Sequence, residues 1–178
     1  TAWVAVAVCD GIEACCGVRP QIKWTNDIIL NGKKLVGILT ELSLVSETNT
    51  LDYLVTGIGV NVNQAPEDFS QEVREMATSL SQALGHPVRR ADLAAQIILA
   101  LDRMYAGYPE DRGEYLKKYR AGCITTGRQV QLITPTARRQ AFALEIDDDF
   151  NLVVEHYNGK RETISAGEVS VRGMYGYV

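Results

Sequence analysis

No stretch of the sequence reaches the roughly 18 consecutive apolar residues that a membrane-spanning helix needs. The apolar opening from Ala2 to Val8 has no basic flank before it and no small-residue cleavage site after it. Neither a membrane partner nor a secretory leader is expected. Histidine is scarce, and the four cysteines, Cys9, Cys15, Cys16 and Cys123, form no CxxC pair. None of them stands at zinc-ligand spacing to His86 or His156, so a structural zinc is not expected. Buried, reduced thiols fit a cytoplasmic protein. Lys/Arg-rich runs are also missing, and the net charge of −4 with a pI near 5.2 is acidic. Nucleic acid is therefore not an expected partner of this segment. No repeat or low-complexity tract is present.

What remains is an ordinary globular composition, 46% hydrophobic and 22% charged, over 178 residues. That length can bury one core, with room for a small additional module. The chain begins at Thr1, without Met, and enters a helix-like run at once. A piece of something longer is the expectation.

Ala2 to Cys16 is apolar on most faces, and Gly17 stands where a C-cap glycine ends a helix. Gln21 to Trp24 reads as a short strand. Asp27 to Leu30 and Lys34 to Leu44 flank Asn31-Gly32, a strong hairpin signal, and Leu51 to Val60 follows as a third run. Gln64 to Ser70 reads as a loop, and Thr78 to Leu84 as a short helix ending at Gly85. In Ala91 to Tyr105 the residues Leu93, Ala94, Ile97, Ile98, Leu101, Met104 and Tyr105 fall on one helical stripe. Glu114 to Arg120 reads as a further helix. From Gly127 the period becomes two, with strands expected at Gln129–Ile133, Gln140–Ile146, Leu152–His156 and Glu168–Arg172. Short strands at that spacing predict a small barrel or sandwich. The expected boundary lies between Gly122 and Gly127, giving units 1–124 and 125–178.

Chemistry-bearing residues are densest between Lys23 and Glu41. A two-residue Asn31-Gly32 turn pairs Leu30 with Lys33, Ile29 with Lys34 and Asp27 with Val36. Asp27 and Lys34 then share a sheet face as diagonal neighbours about 7–8 Å apart. An ammonium beside a carboxylate suits a reaction that develops negative charge and gives up a proton. From spacing alone, a solvated cross-strand salt bridge worth about 0–1 kcal/mol explains the pair as well. Gly57-Ile58-Gly59-Val60-Asn61 begins like a dinucleotide fingerprint, but Val62 fills the third glycine position and no helix follows. Glycines inside a strand instead mark close approach of a ligand or of another backbone. With Gly37 on the neighbouring strand they predict a flat-floored slot, and Asn61 stands at the strand end. Packing against a helix accounts for the same glycines. Asp147-Asp148-Asp149 lacks the alternation of a calcium loop and reads as a solvated turn.

Three ordered blocks carry a family resemblance. They are Lys23-Trp24-Thr25-Asn26-Asp27, Gly32-Lys33-Lys34-Leu35-Val36-Gly37-Ile38-Leu39-Thr40-Glu41, and Gly57-Ile58-Gly59-Val60-Asn61-Val62-Asn63. Together they resemble biotin protein ligases, which show KWPND, a hairpin with KxxGIL-E, and GxGxN in that order. The resemblance covers most of Thr1 to Tyr119. It implies an α/β (α+β) fold: a mixed, largely antiparallel sheet with packed helices, part of a class II synthetase-like catalytic domain, followed by a small SH3-like β-barrel. It implies ATP-dependent activation of biotin to biotinyl-5′-adenylate, with Mg2+ accompanying ATP. Biotin would then pass to a lysine of a biotin carboxyl carrier protein, such as that of acetyl-CoA carboxylase. By the same resemblance Lys34 binds the biotin carboxylate and adjoining phosphate, and Asp27 orients or deprotonates the incoming amine. Gly37, Leu39 and Gly57 floor the biotin pocket. Lys23, Asn26 and Asn61 lie near the nucleotide phosphates, with no metal ligand firmly assigned and Asn61 the nearest candidate. Trp24 is a packing residue.

Thr25 stands where the family has proline, which alters local stiffness. The family's Gly/Arg-rich loop has no counterpart in the sequence, and the resemblance puts it, like any DNA-binding domain, before Thr1. A non-catalytic biotin- or nucleotide-binding fragment, or a degenerate paralogue lacking that loop, is therefore the alternative to an active ligase. A third reading makes the barrel the working part of an interaction protein. A homodimer built at a sheet edge is compatible with all three.

Overall fold

A computed structural model describes residues 1–45, 47–48, 50–134, 136–165 and 170–173. Helix α1 (Ala2–Cys16) is buried on nearly every side from Val4 to Ile12, as its lack of a polar face requires. It stops at Gly17, whose φ of 69° is left-handed and whose N–H donates to the Glu13 carbonyl at 2.8 Å.

Four antiparallel strands follow: β1 (Gln21–Lys23), β2 (Asp27–Leu30), β3 (Lys33–Val45) and β4 (Thr50–Val60), side by side in that order. The β2–β3 turn has φ of 52° at Asn31 and 74° at Gly32, the paired positive values of a type I′ hairpin. Leu30 pairs with Lys33 and Ile29 with Lys34, as the turn predicts. Beyond that the register corrects the expectation, because Asp27 pairs with Gly37 and not Val36, past an irregularity at Ile28/Ile29. Leu35 is the extra residue. Leu35 and Val36 are adjacent and both fully buried, a demand that strict alternation cannot meet and a bulge can.

The loop expected at Gln64 to Ser70 holds a 3-10 turn (Pro66–Asp68), and a single helical turn, α2 (Gln71–Arg74), follows it where no element was expected. It then returns to the sheet, where Ala77 bridges to Lys34 in parallel sense. Helix α3 (Leu80–Leu84) starts two residues later than expected, because Ser79 caps it by accepting the Gln82 N–H at 3.3 Å.

Helices α4 (Arg90–Ala106) and α5 (Arg112–Gly122) pack with α1. The expected stripe on α4 is narrower in fact: Leu93, Ile97 and Ala100 are buried, while Ile98 and Tyr105 are exposed. The contact with α1 is close enough that a Cβ on Gly11 would lie 2.7 Å from the Ile97 Cα.

The second sheet is antiparallel throughout, in the order β8-β7-β6-β5-β9. Its strands are β5 (Arg128–Ile133), β6 (Arg138–Ile146), β7 (Leu152–Glu155), β8 (Arg161–Ile164) and β9 (Ser170–Gly173). Strand β8 was not anticipated, because Arg161 and Glu162 hide an alternation whose buried end is Ile164. The strand expected from Glu168 is described from Ser170, and Glu168 lies outside the described residues. Among the described residues the two outer strands share no ladder. The buried apolar residues of both sheets and the helices form one contiguous cluster. Among the described residues no helix is long and apolar enough to cross a membrane.

Candidate active site

The bulge decides which side chains meet. Lys23 pairs with Asp27, Asp27 with Gly37, and Gly37 with Gly59, so one row crosses all four strands on a single face. Its members are a lysine, an aspartate and two glycines. One step along, Leu39 pairs with Gly57 on the same face. With the straight register, Gly37 would have pointed away from Asp27.

Lys34 reaches into this row from the turn side. Its Nζ lies 2.5 Å from Asp27 Oδ1, with the two side chains 38% and 16% exposed. To get there it passes over Gly37, where an added Cβ would sit 3.4 Å from both Cε and Nζ. The missing side chain at Gly37 is therefore the channel for the lysine. At Gly59 an added Cβ would meet only the Gly37 carbonyl at 3.8 Å, and at Gly57 only the Leu39 carbonyl at 3.9 Å. The floor over β4 is open, and Leu39 is 62% exposed beside it.

Lys34, Gly37, Gly59 and Asn61 line one cavity of about 470 Å³ with Phe69, Val73, Met76 and Ala77. It is large enough for a small organic ligand, with a cation at one side and an apolar wall at the other. The wall comes from the segment after β4, whose backbone is tied to the lysine. Lys34 N–H donates to Met76 O at 2.8 Å, and Thr78 N–H donates to Lys34 O at 2.9 Å.

The other predicted residues are placed as follows. Lys23 is buried, in register with Asp27. Asn26 uses its carboxamide to brace β3, donating from Nδ2 to Ile38 O at 2.7 Å, while its own carbonyl accepts the Ile38 N–H at 3.0 Å. Asn61 directly follows β4, with its N–H on Leu35 O at 3.0 Å. Trp24 is 5% exposed and packs in the core. Sequence reasoning missed Phe69, Val73 and Met76. Their signal was faint: Phe69, Val73 and Met76 stand at helical spacing, i, i+4 and i+7, but in a polar segment too short to announce a helix. No group of three metal-ligating side chains occurs among the described residues.

Comparison with known proteins gives a consistent picture. The model of the biotin/lipoate A/B protein ligase family matches residues 1–61. Over 167 residues the chain is 38% identical to the bifunctional ligase/repressor BirA of Bacillus subtilis, covering 93% of this chain and 51% of that protein. It is 31% identical over 177 residues to the biotin--[acetyl-CoA-carboxylase] ligase of Paracoccus denitrificans, covering 95% of this chain and 71% of that one. The Aquifex aeolicus biotin protein ligase, solved in complex with biotin and ATP, superposes with a TM-score of 0.81 at 22% identity. That match covers 97% of this chain and 70% of the other. The chain thus spans about half the length of the Bacillus relative.

Proposed function

The chain belongs to the biotin protein ligase family, and from that premise we propose that the protein carrying it activates biotin with ATP and transfers it to a carrier-protein lysine. In the first step a biotin carboxylate oxygen attacks the α-phosphorus of ATP, and pyrophosphate leaves with the bonding pair. The second step has a lysine amine attack the acyl carbon of biotinyl-5′-adenylate, so that an amide forms, AMP leaves and the amine loses a proton. The carrier is a biotin carboxyl carrier protein such as that of acetyl-CoA carboxylase.

The observation that carries this reading is the Lys34 ammonium laid across Gly37 onto Asp27, beside an open glycine floor. Adenylation crowds a carboxylate against phosphate oxygens, and a fixed cation there favours the transition state over separated anions. Asp27 holds the ammonium in place and is the nearby base for the amine proton in the transfer step. The floor of Gly37, Gly57 and Gly59, edged by Leu39, takes the biotin rings. The Phe69, Val73 and Met76 wall suits an apolar ring face of either substrate. Lys23 and Asn61 bracket the row toward the phosphates, whereas Asn26, committed to Ile38, contributes mainly by holding β3. Asn61 alone is no cage for Mg2+, which would be held chiefly by the nucleotide's own phosphates. In this reading residues 1–124 carry the chemistry and 125–178 form the smaller unit.

The test is exchange of labelled pyrophosphate into ATP by the full-length protein, with and without biotin. Exchange should require biotin, and Lys34→Ala should lower it by a factor on the order of 10²–10³. Its thermal unfolding should barely move, because an ion pair whose lysine is partly exposed contributes about 0–1 kcal/mol. Normal exchange by Lys34→Ala would refute the role given to the lysine. Biotin binding without exchange in the unsubstituted protein would favour the non-catalytic alternative.

A further inference from the structure

Two consecutive residues just before the Asn26-Asp27 pair are gripped by the far part of the chain. The Trp24 indole N–H donates to the Phe150 carbonyl at 3.0 Å, and its backbone N–H donates to Thr125 Oγ1 at 2.9 Å. The Tyr119 hydroxyl donates to the Thr25 carbonyl at 3.1 Å. Tyr119 and Phe150 meet edge to face, with centroids 5.6 Å apart and planes at 86°. The Tyr119 ring is fully buried, and burial pushes its hydroxyl well above the usual tyrosine value, so it stays protonated and a donor.

Phe150 is held in an unusual backbone conformation. Its φ of 63° is left-handed, a region that a bulky side chain occupies only when its surroundings impose it. Asp147 does so. Its carboxylate accepts the Asp149 and Asn151 N–H groups at 2.9 and 2.8 Å, and its carbonyl accepts the Phe150 N–H at 3.2 Å. Arg120 on α5 docks the turn as a whole, donating to Ile146 O at 2.8 Å and Asp148 Oδ1 at 3.0 Å. The aspartate run expected as a solvated turn is exposed on its outer side, yet it is built to present one carbonyl and one ring inward.

We propose that this β6–β7 turn, acting through Phe150 and Tyr119, is the positioning element for the Asp27–Lys34 pair. It rests on the ligase reading given above. Trp24 and Thr25 lead directly into Asn26, which is bonded both ways to Ile38, and into Asp27, which meets Lys34. A shift of the gripped pair therefore displaces the carboxylate that sets the lysine. None of these bonds reaches Gly57 or Gly59, so the part of the floor that β4 contributes stays in place. Turnover and biotin binding should consequently separate.

Two variants of the full-length protein test this. Tyr119→Phe keeps the buried ring and removes the bond to Thr25; Asp147→Ala frees Phe150 from its imposed conformation. Pyrophosphate exchange is measured per biotin-binding site, counted by calorimetry, so that a loss of folded protein does not register as a loss of rate. Hydrogen exchange of the peptide spanning residues 24–30 reports the segment directly. The expected result is turnover per site lowered about tenfold, since misplacement of catalytic groups costs up to about 10²-fold. Biotin affinity should stay within about twofold, and amide exchange at 24–30 should be faster. Unchanged turnover per site in both variants overturns the proposal, and so does a proportional loss of biotin affinity, which would make the turn a general support. If the unsubstituted protein shows no biotin-dependent exchange, the ligase reading falls and takes the catalytic role of the turn with it. That outcome is distinct from normal exchange in all three proteins, which removes the turn's role alone.

Discussion

Gly59→Ala separates stability from binding, because the two should move in opposite directions. Gly59 sits in the row that crosses the sheet, paired with Gly37. A Cβ built there has a single neighbour within 4 Å, the Gly37 carbonyl at 3.8 Å, and that is an ordinary contact. The methyl therefore fits the protein without ligand. Replacing a strand glycine by alanine removes about 0.5–1 kcal/mol of unfavourable backbone entropy. For a chain of this size each kcal/mol moves Tm by about 2–4 °C, so the variant should melt about 1–4 °C higher. A ligand lying on the floor would meet the new methyl, and an extra methyl in a fitted contact costs about 1–3 kcal/mol. At 1.4 kcal/mol per decade that is roughly 5- to 150-fold weaker binding. Scanning fluorimetry and biotin titration calorimetry on the same preparation read both quantities. A higher Tm with undiminished biotin affinity would refute the placing of the ligand over the β3–β4 glycines. A lower Tm would mean that the open space over Gly59 is not there.

Two further predictions concern packing and charge. Gly11→Ala puts a Cβ 2.7 Å from the Ile97 Cα, and backbone cannot yield as a side-chain tip can. A loss of about 1–3 kcal/mol is expected, seen as a Tm lowered by several degrees; an unchanged Tm would show that α1 and α4 pack less closely. Glu162 is held below the usual carboxylate range, chiefly by hydrogen bonds from Arg139 with a smaller contribution from His156. A lowered folded value means that its stabilisation is present above the ordinary carboxylate pKa and is lost as pH falls through the folded one. Glu162→Gln should therefore melt lower than the parent near neutral pH, by an amount on the order of 1 kcal/mol or less for so exposed a pair. The difference should shrink in acid, and a gap that widens there would contradict the assignment.

How much of this was legible beforehand depended on whether the signal was local. Asn31-Gly32 fixed the first hairpin because the positive φ values of the turn select those two residue types. Gly17 and Gly85 ended their helices for the same steric reason. The row of Lys23, Asp27, Gly37 and Gly59 was not legible, because one bulged residue at Leu35 reverses which face every later residue of β3 occupies. The cause of that bulge, two adjacent side chains both needing the core, appears only once the core exists. The Phe69, Val73 and Met76 wall was hidden for a related reason: the three share a helical spacing over a single turn, and what sets that turn against the site is its bonding to Lys34. Likewise nothing in Asp147-Asp148-Asp149 announces Phe150, whose partners are Trp24, 126 residues away, and Tyr119 on α5.

The stitching of Lys34 to residues 76–78 has a mechanical consequence. One residue supplies the ammonium, while its own N–H and carbonyl anchor the strip that bears the apolar wall. Whatever presses on that strip from the cavity side pulls at the root of the lysine, and whatever fixes the lysine stiffens the strip. Two ligands settling at opposite ends of the cavity would each feel the other's arrival through a single residue, and linkage makes that influence equal in both directions.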